Sequence, residues 1–417
     1  MNTLTQLLDW IERRVKPAAK STYHRPFIEI ARAWRHRLSR TCLIGVTGSA
    51  GKTSTKDLLH AALATRYRTN KSSDSDNQLY DIARTLLHCA AHTEFCVQEV
   101  GASAPGRFEP MLALLKPRVG VVTNVGTDHL KSFRSAQGVA LEKAKLIASL
   151  PPEGIAVLNA DDPLVVAMAS NCRARVVTYG LRQDADYCAE SVSEGWPQRL
   201  AVRIRHRNEV VQVHTQLLPG YQVTSVLAAI ATAHSLGVPL AQAAAGLAEH
   251  EPPLGRMSVQ LTKRGVTFLR DDLKAPQWSL LKAIQYIAQA QAVRKLIVIG
   301  TISDSGGKAQ LYRAGVQAAL AAADRVLLVG ERAASAARRL DAAGGRLIAF
   351  TTVREAAHWL DGFAQAGDLV LLKGSTRADH LARMALNFDQ PVQCWRERCS
   401  RNMLCDRCRL VRVPAAP

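Results

Sequence analysis

The segment Gly45-Val46-Thr47-Gly48-Ser49-Ala50-Gly51-Lys52-Thr53-Ser54 constrains this chain most, because it joins the apolar run Cys42-Leu43-Ile44 to a helical stretch from Ser54 to about Thr65. Glycines let a backbone turn tightly and aim its N–H groups at an anion, and the start of the following helix adds unpaired N–H groups and a favourable dipole. A loop of this kind predicts a bound polyphosphate: Gly48, Ser49, Ala50, Gly51 and Ser54 cradle it, Lys52 reaches the terminal phosphates, and the Thr53 hydroxyl binds Mg²⁺. The spacing departs from the strict Walker form in having valine at position 46. Plain turn chemistry is the alternative, and the strand–loop–helix context argues against it.

More apolar runs follow at Phe95–Val100, Val119–Val125 and Ile155–Leu158, with helical stretches between them, the rhythm of a parallel sheet flanked by helices. A second strand–helix series begins near Val266, with runs at Leu296–Ile299, Val326–Val329, Leu347–Phe350 and Leu369–Leu372. The segment Glu251-Pro252-Pro253-Leu254-Gly255-Arg256 reads as a hinge between the two. The expected fold class is α/β: a central P-loop-type parallel-sheet ATPase domain over 41–254, then a Rossmann-like α/β domain over 255–392. A basic helical extension, 1–40, precedes them, with Leu4, Leu7, Leu8 and Ile11 on one helix and Phe27, Ile28, Ile30, Ala31 and Trp34 on another, parted near Pro17. A cysteine-rich basic tail, 393–417, follows.

Lysine and arginine number 54 against 35 acidic residues. Residues 1–40 hold nine basic and three acidic residues and 394–413 hold six and two, so the ends supply more than half of the +19 net charge. These flanks are read either as solvated cationic surface or as contacts for an acidic polymer, an anionic membrane surface or nucleic acid. Aromatic residues are only 5% and are not interleaved with the arginines, which weighs against nucleic acid. No stretch approaches the ~18 apolar residues of a membrane span. Met1 to Lys20 carries Asp9, Glu12, Arg13 and Arg14 where a signal peptide needs an apolar core, so a cytoplasmic protein is expected.

The motifs after the loop come in a telling order. Glu99-Val100-Gly101-Ala102 closes one apolar run and Gly106 follows; Thr123-Asn124-Val125-Gly126-Thr127-Asp128-His129-Leu130 closes the next. Ala144-Lys145 falls on a helix, and Asn159-Ala160-Asp161-Asp162-Pro163 succeeds a further run. From about Cys42 to Pro163 this succession resembles the central ATPase domain of Mur ligases, closest to the branch that adds D-alanyl-D-alanine. The resemblance implies an ATP-dependent ligase that joins a substrate carboxylate to an amine or amino acid through an acyl phosphate, releasing ADP and phosphate. It implies nucleotide contact near Asn124, Mg²⁺ at Thr53, and a second Mg²⁺ held by Glu99, His129 and a carbamate formed on Lys145. Read alone, Glu99 is a charge at an exposed strand end, His129 a helix-capping histidine, and Lys145 a solvated lysine beside Lys143.

Later motifs match less fully. Tyr221, Gln222 and Ser225 stand where the family has a His-Asn pair and a further asparagine; Arg256 matches a hinge arginine that reaches ATP phosphates. Arg270-Asp271-Asp272-Leu273-Lys274-Ala275-Pro276 keeps an aspartate, Asp271, on the nucleotide side but has Lys274 for asparagine. Gly367 to Ser375 resembles the C-terminal domain of the family, where Lys373 and Ser375 face the substrate. Only 44 residues precede the loop, too few for the nucleotide-sugar-binding domain of the cell-wall members, so an architecture lacking it is expected. That organisation resembles two-domain relatives such as folylpolyglutamate synthases.

Four of the nine cysteines, Cys394, Cys399, Cys405 and Cys408, fall within 15 residues. A Cys-x₂-Cys pair with two more thiols suits a closed tetrahedral Zn²⁺ site that orders a tail too short to fold by burial. Redox-active or unpaired thiols are the main alternative and an iron–sulfur cluster a minor one. Two rival functions are a non-catalytic nucleotide-binding scaffold that holds a partner through this tail, and a nucleic-acid-binding ATPase.

Overall fold

A computed structural model of the chain describes residues 20–126, 130–302, 309–330, 345–397, 399, 401 and 403–412. They divide into two compact units. One comprises the described residues up to Ser193 with Ala201–Gln216 and Gln222–His250; the other comprises Glu194–Leu200, Leu217–Tyr221 and the described residues from Glu251 onward.

The first part of the chain runs α1 (Lys20–Arg35), β1 (Cys42–Thr47), α2 (Lys52–Ala64), β2 (Thr69–Lys71), α3 (Leu79–His88), β3 (Phe95–Glu99), α4 (Phe108–Leu115), β4 (Val119–Val122) and α5 (Leu130–Phe133). It continues through α6 (Ala136–Ala148), β5 (Ile155–Asn159), α7 (Pro163–Val166), β6 (Arg175–Gly180), β7 (Tyr187–Gly195), β8 (Gln198–His206), β9 (Glu209–His214), α8 (Val223–Ser235) and α9 (Leu240–Ala248). The strands form one sheet in the order β2-β3-β1-β4-β5-β6-β7-β8-β9. Pairing is parallel from β2 to β7, and β8 and β9 are antiparallel.

Strand β1 is buried after its first residue and β4 throughout, which is why both read as unbroken apolar runs rather than alternating ones. Two glycines set how closely α6 lies over them. A Cβ on Gly45 would stand 2.8 Å from Leu146 Cδ1, and one on Gly120 would stand 3.1 Å from Ile147 Cδ1. The second expected N-terminal helix, α1, is docked on this unit: Phe27 stacks on Tyr80 of α3 at 4.8 Å and Trp34 Nε1 donates to the Cys89 carbonyl at 3.1 Å. Burying Phe27 contributes about 1.5–3 kcal/mol. The first expected helix, with Leu4, Leu7, Leu8 and Ile11, lies outside the described residues.

The second unit contains β10 (Ser258–Leu261), β11 (Thr267–Asp271), α10 (Gln277–Gln289), β12 (Arg294–Ile299), α11 (Ala309–Ala322), β13 (Arg325–Val329), β14 (Leu347–Phe350), α12 (Val353–Phe363), β15 (Asp368–Lys373) and α13 (Ala382–Asp389). Its sheet has the order β10-β11-β15-β12-β13-β14, parallel except for the β10–β11 pair. Apolar clusters cover both faces, one built around Ile284, Ile287 and Val316, the other around Leu360, Leu381 and Met384. The cysteine-bearing tail packs on this unit, with Val411 and Cys405 buried beside Ala382 and Val392. Among the described residues no helix is long and apolar enough to cross a membrane.

Candidate active site

Residues 48–51 turn between the end of β1 and the start of α2. Gly48 and Gly51 have φ of 149° and 79°, and a Cβ on Gly48 would lie 1.8 Å from Thr123 Oγ1. Only glycine fits there, which explains why this position tolerates no side chain although it lies off the strict Walker spacing. Gly51 is the N-cap of α2 and no side chain caps the helix, so its first N–H groups are presented to whatever occupies the loop. Lys52 Nζ lies back across the loop, donating to the Gly48 carbonyl at 2.8 Å. A phosphate would compete for that ammonium.

Asn124, at the end of β4, acts on the loop from behind. Its Oδ1 accepts from Ser49 N at 3.1 Å and Ala50 N at 2.8 Å, and Gly126 N donates to Ser49 Oγ at 2.7 Å. The β4 end is itself braced by the later Asn-Ala-Asp-Asp motif. Asn159 Nδ2 donates to the Thr123 carbonyl at 2.7 Å, and Asp162 Oδ2 accepts from Val125 N at 2.7 Å while its Oδ1 caps α7. Ser225 Oγ reaches the Gly51 carbonyl at 3.4 Å.

Glu99 departs from the surface role considered for it: the residue is 1% exposed. Its Oε2 accepts from Thr53 Oγ1 at 2.8 Å and its Oε1 from Asn77 Nδ2 at 2.9 Å, both neutral donors. Among the described residues it forms no ion pair. A buried carboxylate held only by neutral groups is costly, and the Thr53 hydroxyl and Glu99 carboxylate are hard oxygen donors of the kind Mg²⁺ prefers. They fit such an ion.

The structure adds two residues the motifs did not mark. One is Asn77, which orients Glu99. The other is Lys56, fully buried one turn beyond Lys52, whose Nζ donates to the Ser72 carbonyl at 2.7 Å and the Asp74 carbonyl at 2.6 Å. Burial pushes the Lys56 pKa down, against the pull of Asp57 and Glu99. Helix spacing and the polar run at 71–77 carried no hint of either.

Thr127, Asp128 and His129 lie outside the described residues. Lys145, the expected carbamate, is a member of an ion cluster, with Nζ 2.5 Å from Glu142 Oε2 and 2.6 Å from Glu109 Oε1. Burial opposes its charge, but the bonds to Glu109 and Glu142 outweigh it and its pKa is raised. Glu142 is committed to structure as well, accepting from the Gly106, Arg107 and Phe108 amides at the start of α4. The neighbouring Lys143 is the buried lysine of α6, 6% exposed, against 35% for the Lys145 side chain.

In the second unit, Asp271 at the end of β11 meets Lys373 at the end of the adjacent β15. Lys373 is 1% exposed; its Nζ donates to Asp271 Oδ2 at 2.5 Å and Ser279 Oγ at 2.8 Å. Ser375 N donates to Asp379 Oδ2 at 3.1 Å, and Arg256 follows Gly255, whose φ is 76°. Tyr221 packs edge-on to Trp278.

The tail differs from expectation. Cys394, Cys399, Cys405 and Cys408 line one small cavity with His380 and Arg383. Among the described residues, however, no three His, Cys, Asp or Glu side chains are grouped closely enough to hold a metal ion. The closed tetrahedral shell expected from the cysteine spacing is thus not found among the described residues, although all four thiols line the same cavity.

Fold and site together define an α/β nucleotide-binding protein with a glycine-rich loop after β1 and a buried carboxylate beside it. Residues 46–233 match the Mur ligase middle domain and residues 255–376 match the Mur ligase glutamate ligase domain. The chain belongs to the Mur ligase family. It is 36% identical over 271 residues to the UDP-N-acetylmuramoyl-tripeptide–D-alanyl-D-alanine ligase of Mycobacterium tuberculosis, a match covering 63% of this chain and 53% of that one. It thus spans about half the length of that curated relative. Among solved structures, MurF from Acinetobacter baumannii superposes with a TM-score of 0.80 at 23% identity, covering 87% of this chain and 79% of the other. MurF from Thermotoga maritima in complex with ADP gives 0.75 at 22%, covering 88% and 83%. These two likenesses establish the fold.

Proposed function

We propose that this protein is an ATP-dependent ligase that joins a substrate carboxylate to an amine. The observation that carries the reading is the Thr53–Glu99 pair: a carboxylate buried without an ion pair among the described residues, bonded at 2.8 Å to the hydroxyl that follows the loop lysine. An acceptor carboxylate oxygen attacks the γ-phosphorus as the bond to the ADP oxygen breaks, giving an acyl phosphate. The amine nitrogen then attacks the acyl carbon, phosphate leaves with the bonding electrons, and the proton released from nitrogen passes to the departing phosphate. Lys52 and the first N–H groups of α2 bind and orient the phosphates, while Asn124 keeps the loop in shape to receive them. Mg²⁺, held at Thr53 and Glu99, would supply charge neutralisation between phosphates.

By resemblance, Glu99 also holds a second Mg²⁺ together with His129 and a lysine carbamate, expected on Lys145. The burial of Lys143, and the two carboxylates already bonded to Lys145, favour Lys143 as its bearer. Arg256 and Asp271 are assigned to the nucleotide, Lys373 and Ser375 to the substrate. The relative's name supplies the substrates to try first, a nucleotide-linked muramoyl tripeptide and D-alanyl-D-alanine. A cytoplasmic location follows from that chemistry, because ATP and nucleotide-linked precursors are cytoplasmic. The test is ADP release on adding both substrates with ATP: release that needs carboxylate and amine together supports the reading, and nucleotide binding without such release refutes it.

A further inference from the structure

The residues from Ser72 to Asn77 lie between β2 and α3, outside any helix or strand, yet they meet the Thr53–Glu99 pair at three points. Ser72 Oγ accepts from Glu99 N at 3.1 Å, Ser75 Oγ lies 3.3 Å from Thr53 Oγ1, and Asn77 Nδ2 donates to Glu99 Oε1 at 2.9 Å. Two more bonds tie the segment to β3: Ser72 N donates to the Val97 carbonyl at 3.0 Å, and Gln98 Nε2 to the Asp76 carbonyl at 3.2 Å. At its middle the chain bends sharply. Asp74 has φ of 38°, a left-handed conformation that a side chain adopts at a cost, so something must hold it there.

Lys56 supplies the hold. It is fully buried on α2, and its Nζ donates to the Ser72 and Asp74 carbonyls on either side of the bend, at 2.7 and 2.6 Å. The third contact of the ammonium is Asp57 Oδ1 at 3.3 Å, an oxygen that Lys71 also takes at 2.6 Å. An ammonium has three donors, so this lysine is committed to the protein, whereas the single short bond of Lys52 is to a loop carbonyl that a phosphate can displace. Burial works against the Lys56 charge, while Asp57 and, after it, Glu99 work in its favour. A cation kept in so dry a place is expensive, and a methionine would pack there without that penalty.

We infer that Lys56 is a positioning residue of the metal site: by holding the carbonyls of Ser72 and Asp74 it keeps Ser75 and Asn77 against Thr53 and Glu99, and so sets the Glu99 carboxylate for Mg²⁺. This role rests on the proposed Mg²⁺ position at Thr53 and Glu99; it does not need the ligation step. The two lysines of α2 then divide the work. Lys52 binds phosphate, and Lys56, one turn further on, fixes the protein oxygens that face the ion beside it. Groups that orient a ligating carboxylate govern metal affinity without touching the metal.

Mn²⁺ in place of Mg²⁺ tests the role without reference to turnover, because paramagnetic resonance counts the free ion directly. The full chain with ADP should bind Mn²⁺, and Lys56→Met should weaken that binding by about 10–100-fold while ADP affinity measured without metal changes by less than about twofold. Asn77→Ala, which removes the bond that the segment makes to Glu99 Oε1, should weaken Mn²⁺ by at least ~10-fold with the same indifference of metal-free ADP binding. Should Lys56→Met not fold, Asn77→Ala decides. Mn²⁺ affinity unchanged in either variant, metal-free ADP affinity lost in step with it, or no ADP-dependent Mn²⁺ binding in the wild type would each overturn the proposal. Normal Mn²⁺ binding with no amide formed would count against the ligase reading alone.

Discussion

Thr53 Oγ1 and Glu99 Oε2 are 2.8 Å apart, so the first turn of α2 is bonded directly to the end of β3. The bond joins the helix that follows the glycine-rich loop to a buried carboxylate of the kind Mg²⁺ prefers. If that is the Mg²⁺ position, Glu99→Gln keeps the shape and both neighbours but removes the charge. Glu99→Gln and Lys52→Ala are each expected to lower kcat/KM for ligation by at least ~10². Steady-state ADP release on variants with unchanged far-ultraviolet dichroism checks this; near-normal turnover in either would remove the proposed site.

Asn124 presents Oδ1 to two loop amides, and its effect should be one of positioning. Asn124→Ala frees Ala50 N and leaves Ser49 N only its bond to the backbone carbonyl of residue 124, and ATP affinity should fall by about tenfold or more from loss of the preformed loop. Asn124→Asp retains the acceptor, so it should preserve thermal stability while repelling the phosphates. Calorimetric titration beside thermal melts separates the two effects, and an Asn124→Ala protein that binds ATP normally would contradict the role.

The lysines of α6 give a paired test. Lys145, bonded to Glu109 and Glu142, holds its proton firmly. Lys143→Ala should therefore be nearly inactive and partly rescued by short-chain carboxylates that replace a carbamate oxygen, whereas Lys145→Ala should retain most activity. The reverse pattern would return the carbamate to Lys145.

His60 makes a pH prediction. Burial drives its pKa down from 6.5 to about 4, with Lys71 adding to the shift. The unfolded chain takes up a proton below about 6.5 that the folded chain refuses until about 4, so stability falls as pH drops through this window. Denaturation midpoints measured from pH 7 to 4 should decline less steeply in His60→Gln. An unchanged slope would show that other groups govern the loss.

The loop, the buried central strands and the order of motifs were legible because each depends on neighbours in sequence: apolar runs for strands covered on both faces, glycines where backbone must approach Thr123. The β8 strand was not recognised, although Leu200, Val202 and Ile204 alternate with Ala201, Arg203 and Arg205, because arginines dilute a short period-two pattern. Contacts across the fold were beyond reach. Asn77 meets Glu99 from a polar run that reads as a loop, and a strand arginine such as Arg270 reads as surface until Asp406, 136 residues later, is found against it. Burial of a charge is a property of the fold's third dimension, and that is also why Lys143 and Lys145 could not be told apart by spacing.

Isotope transfer tests the central claim most directly. With the acceptor carboxylate labelled in both oxygens and ATP and amine present, activation through an acyl phosphate must carry one labelled oxygen into the released phosphate as the amide forms. The account predicts one labelled oxygen per phosphate, dependent on Lys52 and Glu99. Amide formation with unlabelled phosphate, or ADP release with no amide, would contradict it.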